Sequence, residues 1–179
     1  GSLESKEPGK AEHDPKAVLG FLAQHQATYL KAEDILAAGL AQAAKAEKRV
    51  FLHFGAPWCG WCHRLEDWMA RPEIGAVLSK DFVDVKIDTD RTIDAEKVLK
   101  RYNASGGGGI PWFVFLSSDG KVLATSDGPD GNVGFPYQET EIAHFRTMLA
   151  AATRTLSESE VAALIESLHA NRKKDAPGR

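Results

Sequence analysis

The sequence predicts an α/β fold with a central mixed β-sheet flanked by helices, and three observations carry that expectation. The hydrophobic period switches from helical to strand-like at Val50 and alternates between the two afterwards. The resulting order is strand, helix, strand, helix, then a strand hairpin and closing helices. The two cysteines, Cys59 and Cys62, lie together at the first strand-to-helix junction.

Taken in order, residues 1–14 are polar and read as a disordered leader or tag remnant, with Gly1-Ser2 matching an expression scar. From Pro15, Val18, Leu19, Phe21 and Leu22 fall at helical spacing and predict an extra N-terminal helix. The next segment is rich in Ala, with Ile35, Leu36, Leu40 and Ala43 at helical intervals and Lys45, Lys48 and Arg49 near its end. Val50–Phe54 is a short run of β-formers, read as a buried strand. Gly55-Ala56-Pro57-Trp58 then turns the chain into a helix whose Leu65, Trp68 and Met69 share a face. Pro72 interrupts it, and residues 73–78 resume it. A strand at 82–87, a helix at 94–104 and a hairpin of 111–116 with 121–124 follow. The stretch 125–138 holds three Gly and two Pro and reads as a loop. Amphipathic helices at 139–152 and 157–170 close a single domain spanning 15–170, leaving 171–179 as a flexible tail.

Composition narrows the function. The 179 residues carry 22 basic and 25 acidic side chains, a formal charge of -3, which argues against nucleic acid or an anionic membrane as the main partner. No apolar run approaches the roughly 18 residues of a membrane helix. Two cysteines separated by two residues close almost no loop, so they restrain the unfolded chain very little. They are expected to serve chemistry instead.

Thiol–disulfide exchange needs a thiolate that attacks a sulfur and a second thiol that releases the product. On the first turn of a helix, free N–H groups and the helix dipole favour negative charge on the first cysteine. Cys59 therefore reads as the nucleophile and Cys62, one turn deeper, as the resolving thiol.

The residues FLHFGAPWCGWC, the Ile110-Pro111 pair, the hairpin and the final helix resemble the thioredoxin superfamily, over roughly residues 30–152. The motif is similar to that of bacterial thioredoxin-like proteins reading WCGWC followed by a basic residue and Leu-Glu. The resemblance implies a thioredoxin-like fold, an oxidoreductase, and a cis peptide at Ile110–Pro111 whose preceding backbone pairs with an extended substrate. It also implies partners that are protein thiols or disulfides together with an upstream reductant or oxidant, and no cofactor. Trp58, Gly60, Trp61, Ile110 and Pro111 are the expected substrate-binding residues, and Cys59–Cys62 the expected disulfide.

Two departures from that family stand out. His53 occupies the position, six before Cys59, where reductases of this family carry a buried acid. It is expected either to move a proton to or from Cys62 or to be a buried, hydrogen-bonded histidine. Trp61 replaces the proline often found between the cysteines, which leaves the direction of transfer open between reduction, oxidation and isomerisation, with the family resemblance favouring reduction of protein disulfides.

Other signals compete less well. Cys59–His63 also spells C-x-x-C-H, the attachment pattern of a c-type haem, so a haem or metal-binding electron carrier is the alternative function. The buried strand before the motif and the Ile-Pro strand after it favour exchange. A redox-inert interaction module is the third reading. Zinc lacks a fourth ligand beside Cys59, Cys62 and His63. The glycine run 106–109 lacks a following Gly-Lys-Ser/Thr and reads as a supple lead into Pro111. Residues 127–132 read as a surface turn rather than a calcium loop, and Glu66-Asp67 as a solvated helix face. The polar leader suggests a tether left on an exported, periplasmic bacterial protein.

Overall fold

The computed structural model describes residues 30–175, so the leader and the helix expected from Pro15 lie outside the described residues. Helix α1 (Ala32–Ala46) carries Glu33 and Asp34 in its first turn and Lys45 in its last, each placed to complement the dipole. It stops where Glu47 turns left-handed at a φ of 56°. Strand β1 (Arg49–Gly55), helices α2 (Gly60–Met69) and α3 (Pro72–Asp81), strand β2 (Phe82–Asp88) and helix α4 (Ala95–Tyr102) follow. Strands β3 (Trp112–Leu116) and β4 (Val122–Thr125) come next, and then helices α5 (Glu139–Ala152) and α6 (Glu158–Asp175). The break between α2 and α3 falls where expected, because Pro72 has no N–H to continue a helix yet suits the first position of a new one.

The sheet is mixed, in the order β2-β1-β3-β4, with β1 parallel to β2 and antiparallel to β3. Strand β1 sits in the middle with helices on both faces, which is why its sequence is a continuous apolar run rather than an alternation. Val50, Leu52 and Phe54 pack on one side with Leu36 of α1 and Val98 of α4. On the other side Phe51 joins Phe113, Phe115, Phe145 and Trp68 in an aromatic cluster. Phe51 and Phe115 meet edge to face at 4.8 Å, a geometry aromatic quadrupoles favour. Strand β2 lies at the edge and does alternate, with Asp84 and Lys86 exposed, charges that discourage pairing with a foreign strand.

Two expectations are corrected. The stretch 125–138 is more than a loop: β5 (Asp127–Gly128) and β6 (Gly131–Asn132) form a small antiparallel ribbon. Helix α6 runs to Asp175, past the end expected at 170. Asn171 accepts a hydrogen bond from Arg71 at 2.6 Å, and Arg172 pairs with Glu139, so these two residues extend the helix instead of opening a tail.

The connection into α6 is fixed by one buried carboxylate. Asp81 accepts hydrogen bonds from the backbone N–H groups of Arg154, Thr155 and Leu156 and from the Thr155 hydroxyl, at 2.7–3.2 Å. Burial pushes its pKa up, but these donors outweigh burial and hold it below the ordinary carboxylate value.

Candidate active site

The C-terminal end of β1 delivers the chain through a short turn to Cys59, whose N–H donates to the Ala56 carbonyl at 3.1 Å. Cys59 is the N-cap of α2, and its sulfur accepts the Cys62 N–H at 3.1 Å. The two cysteines form a disulfide with their Cα atoms 5.2 Å apart, and both are buried. Gly60 is the first residue of α2 and puts no side chain over the sulfurs. One tryptophan precedes the pair and another lies between its cysteines. Trp58 is 72% exposed and donates to Asp90 at 2.8 Å, while Trp61 is 48% exposed. The Ile110–Pro111 peptide is cis, and the Ile110 carbonyl oxygen lies 3.5 Å from Cys59 Sγ.

Behind Cys62 the packing is close. A Cβ on Gly55 would stand 3.3 Å from Cys62 Sγ and 3.8 Å from Glu66 Oε1, so glycine here lets β1 pass directly beneath the disulfide. His53 occupies the same face of β1 as Gly55, since successive side chains alternate. Its ring is buried, and Nε2 sits 2.8 Å from Asp84 Oδ1 on the edge strand. Glu66 is not the solvated residue the sequence suggested. It lies on the Cys62 face of α2, is half-buried, and pairs with Lys86 at 2.6 Å, whereas Asp67 faces water. A cleft of about 600 Å³ opens between α2, α3 and β2, lined by His53, Glu66, Asp84 and Lys86 among others.

In front of Cys59 stands a wall the sequence did not reveal. Asn132 Nδ2 donates to both the Gly109 and Pro111 carbonyls, at 3.2 and 3.0 Å, while its Oδ1 accepts from Ser126 and Gly134. Asp127 accepts from the Trp112 indole and the Ser105 hydroxyl, so the supposed surface turn anchors the loop ahead of Pro111. Phe135 and Tyr137 reach the Trp61 ring, with centroids at 6.4 and 5.7 Å. Arg64 caps both Trp61 and Tyr137 from 5.0 and 5.9 Å. The available signal was two aromatics in a Gly- and Pro-rich stretch.

His63 is exposed on α2, and its Nε2 contacts the Pro57 carbonyl at 2.7 Å. Among the described residues no group of three or more His, Cys, Asp or Glu is arranged to hold a metal ion. No helix among them is long and apolar enough to cross a membrane.

Human spermatogenesis-associated protein 20 is 40% identical over 79 residues, 42% of this chain and 10% of the human protein. The rat protein of the same name is 37% identical over 79 residues, again 42% of this chain and 10% of its own. The chain thus spans about a tenth of the length of these curated relatives. A solved disulphide isomerase from Xylella fastidiosa Temecula1 covers 92% of this chain and 98% of its own, at 20% identity and a TM-score of 0.47. A family model described as Thioredox_DsbH, a protein of unknown function (DUF255), matches residues 15–171. That match spans both cysteines, the Ile110–Pro111 loop and most of α6, and the chain belongs to this thioredoxin-like DsbH family.

Proposed function

We propose that the chain is a thiol–disulfide oxidoreductase that reduces protein disulfides, with Cys59 as nucleophile and Cys62 as resolving thiol. The observation that carries this reading is the Cys59 sulfur at the start of α2, held by the Cys62 N–H and facing the Ile110 carbonyl. A helix N-terminus favours the thiolate over the thiol, and the thiolate is the attacking species.

The Cys59 thiolate attacks one sulfur of the substrate disulfide; a Cys59–substrate disulfide forms, and the other substrate sulfur leaves as a thiolate that takes up a proton. Cys62 gives up its proton and attacks Cys59 Sγ, forming the Cys59–Cys62 disulfide and releasing the second substrate thiolate. Two electrons pass from the dithiol to the substrate. An upstream dithiol then restores the pair by the reverse exchange.

His53 is our candidate for moving the Cys62 proton, because its buried ring lies one pleat along β1 from Gly55 and is anchored by Asp84. Replacing it, as His53→Ala, should change the pH profile of exchange. An unaltered profile would remove that role.

The overall reading is tested by equilibrating the Cys59–Cys62 couple against glutathione or a thioredoxin standard. A potential near about -270 mV supports a reductase. One near roughly -120 to -180 mV reassigns the chain to oxidation or isomerisation. A pair that does not cycle removes the enzyme reading.

A further inference from the structure

The ribbon segment 126–138 and the Ile110–Pro111 loop enclose a cleft of about 340 Å³ beside the disulfide, large enough for one bulky side chain. We infer that this cleft is a specificity subsite, taking an aromatic or large aliphatic side chain that flanks the cysteine of an extended substrate segment. The inference rests on the exchange reading above and names what that site selects.

Four features point to this occupant. The first is continuity with the chemistry: Ile110 lines the cleft, and its carbonyl oxygen is the group 3.5 Å from Cys59 Sγ. A segment whose sulfur reaches Cys59 therefore runs along the cleft mouth.

The second is the aromatic lining. Trp61 and Phe135 lie nearly parallel, at 24°, with Tyr137 edge-on to Trp61 at 61°. Trp61 stays half exposed even so, leaving ring surface for a guest. Offset and edge-to-face contacts with a further ring are what such a lining offers, and aliphatic groups gain from the same burial.

The third is a wall of bare main chain. A Cβ on Gly108 or Gly109 would meet nothing within 4 Å, so space adjoins the backbone there rather than side chains. Another strand can approach that edge and use main-chain hydrogen bonds, the usual basis of extended-peptide recognition. This favours a polypeptide over a small disulfide such as oxidised glutathione.

The fourth is rigidity. Asn132 clasps the Gly109 and Pro111 carbonyls while its own oxygen is held by Ser126 and Gly134. The wall is thus fastened directly to the loop that faces the cysteine. A fixed pocket discriminates because less ordering accompanies binding.

The test uses disulfide-linked peptides identical except for Trp, Leu or Gly beside the cysteine, with bis(2-hydroxyethyl) disulfide as a small substrate. The intact protein should prefer the Trp and Leu peptides over the Gly peptide by about five- to tenfold in kcat/KM, expressed mainly in KM. In Tyr137→Ala the Trp-to-Gly ratio should fall towards one, and Tyr137→Phe should keep it. Because the ratio is taken within each variant, a general loss of activity does not mimic the effect. Equal rates for the three peptides in the unaltered protein, alongside turnover of the small disulfide, overturn the subsite and leave the exchange reading standing. No turnover of any substrate overturns both.

Discussion

Two places at opposite ends of the sheet gather backbone N–H groups around an acceptor just ahead of a helix or at its first turn. Near the start of β2, Asp81 holds three N–H groups and a hydroxyl. Beyond the end of β1, the Cys59 sulfur holds one. Both acceptors are buried, but their neighbours differ. Asp81 is enclosed by the α5–α6 connection, whereas Cys59 has the exposed Trp58 beside it and an open cleft beyond Ile110. One device thus serves two ends. A carboxylate saturated with donors fixes structure, and a sulfur given one donor and an opening is, on the proposed reading, available to react.

The largest effect is expected of Cys59→Ser, which should abolish exchange while leaving the thermal unfolding of the reduced protein within a few degrees. A serine oxygen can still accept the Cys62 N–H, so the cap survives and the nucleophile does not. Residual exchange in a disulfide-reduction assay would contradict the assignment of Cys59.

At the other end, Asp81→Ala removes a buried acceptor and strands several donors, which should cost about 3 kcal/mol in denaturant unfolding. The pH dependence has a definite sign. The folded-state pKa of Asp81 is depressed, so its contribution is complete above the unfolded value of about 4 and is lost as pH falls through the folded value. The stability gap between the unaltered protein and Asp81→Asn should therefore narrow in acid and stay constant above about pH 5.

A smaller effect is expected at Gly55. The added methyl of Gly55→Ala would sit 3.2 Å from Cys62 Cβ, tighter than ordinary contact, and should destabilise by about 1–2 kcal/mol. The loss should be larger in the oxidised protein, where the disulfide prevents Cys62 from giving way. Chemical denaturation of both redox forms would show it.

The smallest is Glu141→Ala. Its carboxylate takes the N–H groups of Tyr137 and Gln138 at the start of α5, a third example of the device, but only half-buried. A loss of about 1 kcal/mol is expected, well below that at Asp81.

The sequence carried most of this architecture because its signals are local. Val50–Phe54 reads as a strand buried on both faces, Pro72 as a break, and C-x-x-C as a dithiol, each without reference to distant residues. What it concealed depends on partners far along the chain. Asn171 is tied down by Arg71, and nothing near Asn171 announces that. Asn132 looks like any turn residue until the fold sets it against Gly109 and Pro111. Glu66 is the exception, a legible residue overlooked: it lies four positions after Cys62 and so shares its helical face, although its neighbour Asp67 made the pair look solvated.

One consequence concerns where this protein can be cut. The cysteine-bearing helix is bolted from behind by α6: the Trp68 indole donates to Ser167, and Leu164, Ile165 and Leu168 close the aromatic cluster around it. A gene trimmed at Ala152, the end of α5, would leave that tryptophan and its neighbours facing water. Such a fragment is a recipe for inclusion bodies, and its inactivity would say nothing about the cysteines. Any shortened version meant to report on catalysis has to keep the chain through Arg172.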